Sequence, residues 1–330
     1  MCGNCSLSQA AGMLAAAGRL VLTSHQRPDG DALGCLAALA RAARAAGKTA
    51  RVVVHDPLPA RYAFLFEQPP AGSAEFAALA ERADRIVVVD TSSFAQLEPV
   101  EPALRQFSPK VLVIDHHLSS DELGDTWRDV AAAAAGVMVL ELLELLSWPV
   151  DAAISQALLT AILTDTGWLH HANTDRRALL AVAQLAQGAN LNELYQRIYQ
   201  TDRPARLKLL AIALDSLEFS HQDQLAVMSL GPDDFARTGA AADESEDFVN
   251  EPLRVASVEV SAILVEQPGG GIRASLRSRR KVDVAAVADE FGGGGHSRAA
   301  GFRSQLPLAQ LKSRLTQLCQ GLLDVANSRS

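Results

Sequence analysis

The sequence is poor in cysteine, and its few cysteines are scattered. Cys2 and Cys5 lie at the start of the chain, whereas Cys35 and Cys319 are far apart. Four cysteines so placed cannot form the disulfide framework of a small secreted domain, and a lone CxxC pair lacks the second pair that a structural zinc site needs. We therefore expect Cys2 and Cys5 to have no function, because chain termini are usually disordered.

Long hydrophobic runs are also missing. The hydrophobic fraction is 48%, but the apolar residues come in short stretches broken by Asp, Arg, Gly or Pro. None of these stretches is long enough to cross a membrane. The N-terminus has no basic region followed by a continuous apolar segment, so no secretory signal is predicted. We expect a cytoplasmic protein without a membrane partner.

An excess of positive charge is absent as well. Lys and Arg together number 30 against 38 Asp and Glu, which gives a formal net charge of −8. Proteins that bind long duplex DNA or RNA make many phosphate contacts through Lys and Arg. The composition therefore excludes a long electrostatic track for a duplex but is compatible with a small anionic substrate held by a few local cations.

The length and the hydrophobic pattern predict two domains of an α/β protein. A chain of 330 residues exceeds what one hydrophobic core usually serves. In its first third, short β-branched runs alternate with Ala- and Leu-rich stretches of helical length, which predicts a parallel sheet flanked by helices. The four predicted strands are residues 19–23, 50–54, 85–89 and 110–114.

A charged helical pair follows this region, and the pattern then changes. We predict an N-terminal domain over residues 1–190, a helical linker over 191–219 that Pro204 interrupts, and a smaller mixed α/β C-terminal domain over 220–330. Within the last domain, the Pro-Gly-Gly-Gly segment at 268–271 is typical of a hairpin turn.

Acidic and histidine side chains follow the predicted strands at the edge where parallel sheets bind ligands. Each residue alone has an ordinary alternative, since Asp often caps a helix or closes a turn. Together, clustered carboxylates would repel one another without a cation. A ligand set of oxygen and imidazole without thiolate favours Mn²⁺, with Mg²⁺ or Co²⁺ as alternatives, over structural zinc. The candidates are His25, Asp29, Asp31, Asp90, Asp115, His116, His117 and Asp165.

These residues resemble those of the DHH phosphoesterases, a family that includes RecJ-type exonucleases and family II inorganic pyrophosphatases. The family's signature is the Asp-His-His triplet found here at 115–117, and the HxxxDxD pattern at 25–31 precedes it. Asp90 after a hydrophobic strand and Asp165 in TDTGW follow the family's order and spacing. The resemblance covers almost the whole chain and implies a two-metal phosphodiesterase or phosphatase.

The resemblance also implies a role for each of these side chains. Asp115 is expected to orient His116 through a hydrogen bond, as metal-bound imidazoles commonly require. His117 is expected to face the substrate phosphate and to assist protonation of the leaving oxygen. For two Mn²⁺ per active site, the implied ligands are His25 and Asp29 for one ion, Asp31, His116 and Asp165 for the other, and Asp90 as the bridge.

The C-terminal glycine run resembles the substrate-binding domain that accompanies many DHH domains and that family II pyrophosphatases lack. Glycine lets backbone N–H groups approach phosphate closely, although such a run could also be only a flexible loop. Arg279 and Arg280 are expected to be solvated. The predicted substrate ligands are Asn250, Arg277, Ser278, Gly293, Gly294, Gly295, His296 and Arg298.

This ending resembles the family's nano-RNase type, which also removes the 3'-phosphate of 3'-phosphoadenosine 5'-phosphate. We therefore predict hydrolysis of short oligoribonucleotides and of this bisphosphate, with short RNA and small nucleotides as partners and a homodimer as the expected assembly. Hydrolysis of cyclic or linear dinucleotides such as c-di-AMP or pApA is the first alternative. A processive exonuclease would need a further nucleic-acid domain, and a non-catalytic nucleotide-binding regulator would be expected to have lost metal ligands. His171 departs from the family pattern and is expected at the surface.

Overall fold

The computed structural model describes residues 3–118 and 121–328, and Cys2 lies outside them. The chain divides into two compact units, Met1–Thr201 and Asp202–Ser330. Cys5, Cys35 and Cys319 are free thiols. Within the described ranges, no helix is both long enough and apolar enough to cross a membrane.

The first unit is built on a six-stranded parallel sheet, as the alternating pattern predicted. The strand order is β3-β2-β1-β4-β5-β6. The four predicted strands are all present within one residue of their expected bounds, whereas the two edge strands, β3 and β6, were not predicted. The strands are β1 (Arg19–Thr23), β2 (Thr49–Val54), β3 (Ala71–Gly72), β4 (Arg85–Val89), β5 (Val111–Asp115) and β6 (Asp125–Arg128).

Helices cover both faces of this sheet and enclose two hydrophobic clusters. α2 is the most buried helix, because Ala and small residues let its neighbours approach closely. A Cβ atom on Gly34 would lie 2.4 Å from the carbonyl oxygen of Ala157, so only glycine fits there. The helices are α1 (Leu7–Ala16), α2 (Gly30–Ala45), α3 (Phe76–Arg82), α4 (Glu101–Gln106), α5 (Ala135–Leu145), α6 (Ala152–Asp165), α7 (Arg176–Leu185) and α8 (Leu191–Tyr199).

The second unit contains a six-stranded mixed sheet in the order β11-β12-β10-β9-β8-β7. Only β8 and β9 pair in parallel. This arrangement confirms the predicted mixed α/β C-terminal region. The strands are β7 (Glu218–Ser220), β8 (Leu225–Leu230), β9 (Val260–Glu266), β10 (Ile272–Ser278), β11 (Gly294–His296) and β12 (Ala299–Ser304), and the helices are α9 (Pro204–Asp215), α10 (Pro232–Thr238), α11 (Val284–Asp289) and α12 (Leu308–Ser328).

The predicted hairpin turn and the predicted helix break at Pro204 are both present in this unit. β9 and β10 form an antiparallel hairpin whose turn places Gly270 and Gly271 at φ values of +89° and +80°. Glycine adopts this left-handed region without the steric penalty of a Cβ atom. Pro204 stands at the first position of α9, where its missing N–H leaves no helical hydrogen bond unmade.

Candidate metal centre

The strand order brings the candidate ligands to the centre of the parallel sheet. β1 and β4 are neighbours there, and the chain continues from them towards opposite edges. At such a switch point the loops diverge and leave a crevice at the carboxyl ends of the strands. His25 follows β1, Asp90 follows β4 and His116 follows β5, so all three reach this crevice.

The loop after β1 ends as α2 begins, and Asp29 is the N-cap of that helix. Its Oδ1 accepts hydrogen bonds from the backbone N–H groups of Asp31 and Ala32 at 3.0 and 3.1 Å. The ordinary capping role is therefore real, and it fixes the carboxylate in the crevice. Gly30 sits against α6, since a Cβ atom there would lie 2.3 Å from Thr164 Oγ1. This close contact sets the start of α2 beside Asp165 at the end of α6.

Asp31 is almost completely buried, with 1% of its surface exposed. Its two carboxylate oxygens accept hydrogen bonds from the backbone N–H groups of Ala135 and Gly136 at 2.7 and 2.9 Å. These amides begin α5, whose N-cap residue Ala134 has no side-chain oxygen of its own. Asp31 thus caps a distant helix, and the positive end of that helix helps to hold the buried carboxylate.

Two groups of three potential ligands meet in the crevice, and within each group the ligand atoms lie within 4.8 Å of one another. Asp90 connects the groups, because its Oδ2 lies 3.5 Å from His25 Nε2 and its Oδ1 lies 3.3 Å from His116 Nε2. A further combination joins Asp90 and His116 to His117. The two groups are His25, Asp29 and Asp90, and Asp31, His116 and Asp165.

The imidazoles of His25 and His116 both have the tautomer that a metal ligand needs. His25 Nδ1 lies 2.8 Å from the carbonyl oxygen of Gln26, and His116 Nδ1 lies 3.1 Å from that of Ala132. Because a carbonyl oxygen only accepts, each Nδ1 carries the hydrogen. In the neutral ring, the lone pair of Nε2 then faces the carboxylates and is available to a cation.

Asp90 is held in a strained position. Its φ angle is +59°, a left-handed conformation that is uncommon for Asp and tends to persist at functional sites. Its buried Oδ1 has no well-aligned hydrogen-bond partner within the described part of the chain, although His116 Nε2 is near. A buried acceptor without a partner is costly, and a cation between the two groups would satisfy it.

The carboxylates in the crevice outnumber the imidazoles that could neutralise them. Burial disfavours the protonated forms of His25 and His116, but the hydrogen bond and the negative charge that Asp90 offers to each ring outweigh this effect. The pKa of His25 therefore rises to about 9 and that of His116 to about 10. Burial raises the pKa of Asp165 to about 6, with His116 opposing and Asp90 adding to the rise. Burial and the charges of Asp90 and Asp165 also raise the pKa of Asp31. These shifts fit a site built for cations.

Asp115 does not orient His116, contrary to the expectation. Its Oδ1 lies 2.8 Å from His117 Nδ1, and Ser92 Oγ donates a hydrogen bond to its other oxygen. The reason is a local turn where β5 ends, in which the same Oδ1 also accepts a hydrogen bond from the backbone N–H of His117 at 3.2 Å. Burial opposes ionisation of Asp115, but the hydrogen bonds from His117 and Ser92 lower its pKa. The bond between Asp115 and His117 also raises the pKa of His117. The His117 side chain is 53% exposed.

Asn173 is a site residue that the sequence did not indicate. Its Nδ2 lies 3.3 Å from Asp165 Oδ2 and donates to the carbonyl oxygens of Asp165 and Ala133 at 3.2 and 2.9 Å. It therefore holds a candidate ligand in place from a loop eight residues further on. His171 is exposed as predicted, and its Nδ1 lies 3.2 Å from the carbonyl oxygen of Asp165.

In the second unit, three of the predicted substrate ligands meet at one end of the sheet. Arg277 pairs with Ala299, which in turn pairs with His296, so both side chains project from the same face. Arg298 Nη1 donates to the carbonyl oxygen of Val282 at 3.1 Å. His296 and Arg298 are exposed, and Arg277 is partly exposed.

The other predicted polar ligands of this unit are engaged in local hydrogen bonds. Ser278 is 6% exposed, and its Oγ donates to the carbonyl oxygen of Val282 at 2.6 Å. Asn250 Nδ2 donates to Asp247 Oδ1 at 3.4 Å. The expectation that Arg279 is solvated was wrong, because its guanidinium donates to the carbonyl oxygens of Leu253, Val255 and Ala256. Arg280 is exposed.

The glycine run forms an edge strand, β11, and not a flexible loop. Gly294 pairs with Gly301 and Gly295 with Ala300. A Cβ atom on Gly293 would lie 2.3 Å from the carbonyl oxygen of Gly301, and Gly295 has a φ angle of +144°. Strand packing therefore requires glycine at 293 and 295, whereas a Cβ atom on Gly294 would meet no described atom within 4 Å.

Comparisons with known proteins match each unit to a domain family. The model of the DHH family's N-terminal domain matches residues 19–166, and that of the DHHA1 domain matches residues 222–324. The bifunctional oligoribonuclease and PAP phosphatase NrnA of Thermus thermophilus is 32% identical over 293 residues, which cover 86% of this chain and 83% of that protein. The NrnA protein of Mycoplasma genitalium is 26% identical over 90% of this chain and 92% of its own length.

Solved structures show the same fold. An exopolyphosphatase-related protein from Bacteroides fragilis superposes with a TM-score of 0.88 at 22% identity over 97% of each chain. An exonuclease RecJ bound to manganese superposes with a TM-score of 0.52 at 16% identity, over 94% of this chain and 93% of that chain.

Proposed function

The chain belongs to the DHH family, and on this premise we propose that it is a metal-dependent phosphoesterase for very short RNA and small nucleotides. Its proposed reactions are the hydrolysis of short oligoribonucleotides to mononucleotides and of 3'-phosphoadenosine 5'-phosphate to AMP and phosphate. The observation that carries the proposal is the pair of ligand groups joined by Asp90 at the switch point of the sheet. The activity named for the Thermus thermophilus relative supports the choice of substrates.

The proposed cofactor is a pair of Mn²⁺ ions, with Mg²⁺ or Co²⁺ as alternatives. His25 and Asp29 would hold one ion, Asp31, His116 and Asp165 the other, and Asp90 both. Hard oxygen ligands with imidazole nitrogens and no thiolate suit these ions. Bound there, the ions would lower the pKa of the attacking water and stabilise charge on the phosphate.

The protein's own contribution is to position charge and protons around the phosphate. Asp90 fixes the spacing of the two ligand groups through its strained backbone and its two oxygens. His117 is proposed to donate a proton to the leaving oxygen. Asp115 and Ser92 set its tautomer, because the Nδ1 hydrogen points at a carboxylate that is itself hydrogen-bonded and leaves Nε2 for the substrate.

Residues 220–330 are proposed to bind the nucleotide, and residues 1–190 to carry out the chemistry. Arg277 and His296 are the leading candidates for contact with a phosphate, because they share one face and remain accessible. The hydroxyl of Ser278 is committed to a carbonyl oxygen, so we propose that it shapes the turn that presents these residues. A cytoplasmic location and a homodimer also belong to the proposal.

The test is an assay of Mn²⁺-dependent phosphate release from 3'-phosphoadenosine 5'-phosphate, alongside mononucleotide release from RNA of two to five residues. Linear and cyclic di-AMP are run in parallel, and the D115A/H116A double variant serves as the blank. Activity on the bisphosphate and on short RNA, lost in the variant, is expected. Activity on cyclic di-AMP alone would replace the proposed substrates, and no metal-dependent hydrolysis of any substrate would overturn the proposal.

A further inference from the structure

Two tyrosine rings stand exposed on α8. Tyr195 and Tyr199 are four residues apart and therefore lie on the same side of the helix. They are 38% and 42% exposed, whereas Leu194 and Ile198, about 100° away around the helix axis, are buried in the core of the first unit. The helix thus packs through aliphatic residues and leaves its aromatic side at the surface.

The indole of Trp168 completes a cluster with these rings. Its centroid lies 5.0 Å from that of Tyr195 and 5.6 Å from that of Tyr199, and the two tyrosine centroids are 5.2 Å apart. Trp168 has a φ angle of +58°, between two other residues of positive φ, which is unusual for so large a side chain. The turn after α6 therefore adopts a strained conformation that directs the indole towards α8. We call Trp168, Tyr195 and Tyr199 the aromatic surface.

The aromatic surface lies close to the metal centre. Trp168 follows Asp165 by three residues, so their Cα atoms are at most about 11 Å apart along the chain. A nucleotide whose phosphate lies at the metal centre can thus reach the aromatic surface with its base.

A cavity beside α8 carries two arginines in a chain whose net charge is −8. Arg61 and Arg197 line a cavity of about 480 Å³ together with Ala60, Phe64 and Thr201. The Arg197 guanidinium lies 5.4 Å from the ring centroid of Phe64 and pairs with Glu193 at 2.6 Å. Arg197 is two residues from each tyrosine and therefore lies on another side of α8, so the exposed rings themselves are the feature that can bind an unpaired base.

We propose that the aromatic surface stacks against a base of the short RNA substrate and so determines which substrates bind. The proposal rests on the proposed phosphoesterase function. Stacking needs a base whose face is free, which single-stranded fragments supply and paired strands do not.

A double-mutant comparison tests this role with diadenylate and with an abasic analogue that lacks one base. For Y195A/Y199A, we expect KM for diadenylate to rise about tenfold, with kcat unchanged, from the usual strength of base stacking. Removing the base should then have no further effect on the variant, although it raises KM of the wild type. Y195F/Y199F should keep the wild-type KM, and F219A, which removes an equally exposed ring (43%) in the second unit, is the matched control.

The outcomes separate this proposal from the proposed function. An unchanged KM for diadenylate, or an equal rise for the abasic analogue, would overturn the stacking role while wild-type turnover still supports the phosphoesterase. If the wild type does not hydrolyse diadenylate, quenching of tryptophan fluorescence by diadenylate in EDTA tests the surface directly, and equal quenching in wild type and Y195A/Y199A refutes it. If the double variant does not fold, as judged by circular dichroism, Y199L replaces it in every arm, with the same expected rise in KM.

Discussion

Replacing Asp165 by Asn should stabilise the metal-free protein and greatly reduce its stabilisation by metal. The pKa of Asp165 rises from an ordinary 3.8 to about 6, chiefly because the side chain is buried. A raised pKa in an acid means that the folded state binds the proton more tightly than the unfolded state does. Stability therefore falls as the pH increases from about 4 to about 6, and the penalty is complete above that window.

The magnitude follows from the size of the shift. Each pKa unit corresponds to about 1.4 kcal/mol, so the ionised Asp165 carboxylate opposes folding by about 3 kcal/mol at pH 8. Its side chain is 29% exposed, so water screens it only in part. Asn keeps the shape and can still accept the hydrogen bond from Asn173. In EDTA at pH 8, the variant should melt roughly 6 to 12 °C above the wild type.

Manganese should offset most of this difference. At a free Mn²⁺ concentration of 100 times its Kd, the wild type gains about 2.7 kcal/mol, whereas D165N lacks a carboxylate ligand and gains far less. The assay is thermal unfolding at pH 8 and pH 4, with EDTA and with Mn²⁺. E122Q, which neutralises an exposed carboxylate in the same unit, should match the wild type throughout. A D165N protein less stable than the wild type in EDTA at pH 8, or equally stabilised by Mn²⁺, would refute this reasoning.

Three further changes test other parts of the site. N173A removes a hydrogen bond to a candidate ligand, so Mn²⁺ affinity measured by calorimetry should fall about tenfold, and unchanged affinity would contradict this positioning role. D115N replaces the carboxylate whose hydrogen bond, together with its charge, raises the pKa of His117, so the basic limb of the kcat profile should move to lower pH; a profile that does not move argues against His117 as the proton donor. G293A should lower the melting temperature of the second unit, because its methyl group meets the backbone of β12, whereas G294A should not; equal effects would contradict the strand packing.

The central sheet and the set of clustered residues could be predicted from sequence because both depend on local pattern. Short β-branched runs alternating with helical stretches specify a parallel sheet, and polar residues at the ends of its strands must meet at one edge. Asp90 illustrates the limit of this reasoning. Its position after a strand was visible, but its left-handed backbone, and the lack of a well-aligned hydrogen-bond donor to its Oδ1 among the described residues, arise only from tertiary packing.

The contacts between site residues were harder to predict, because they depend on side-chain direction or on distant loops. Asp115 bonds His117 and not its neighbour His116, because a local turn at the end of β5 brings residues 115 and 117 together. Asn173 reaches the site through a loop that no periodic pattern marks. The edge strand β11 was hidden because glycine has low strand propensity, and here the close approach of β12 requires it.

The most direct test of the account is anomalous diffraction at the manganese absorption edge from crystals of the protein soaked in Mn²⁺. We expect two peaks per chain, one contacted by His25 and Asp29 and the other by His116 and Asp165, with Asp90 in contact with both. A single peak, or peaks that Asp90 does not join, would contradict the two-metal centre on which the proposed function depends.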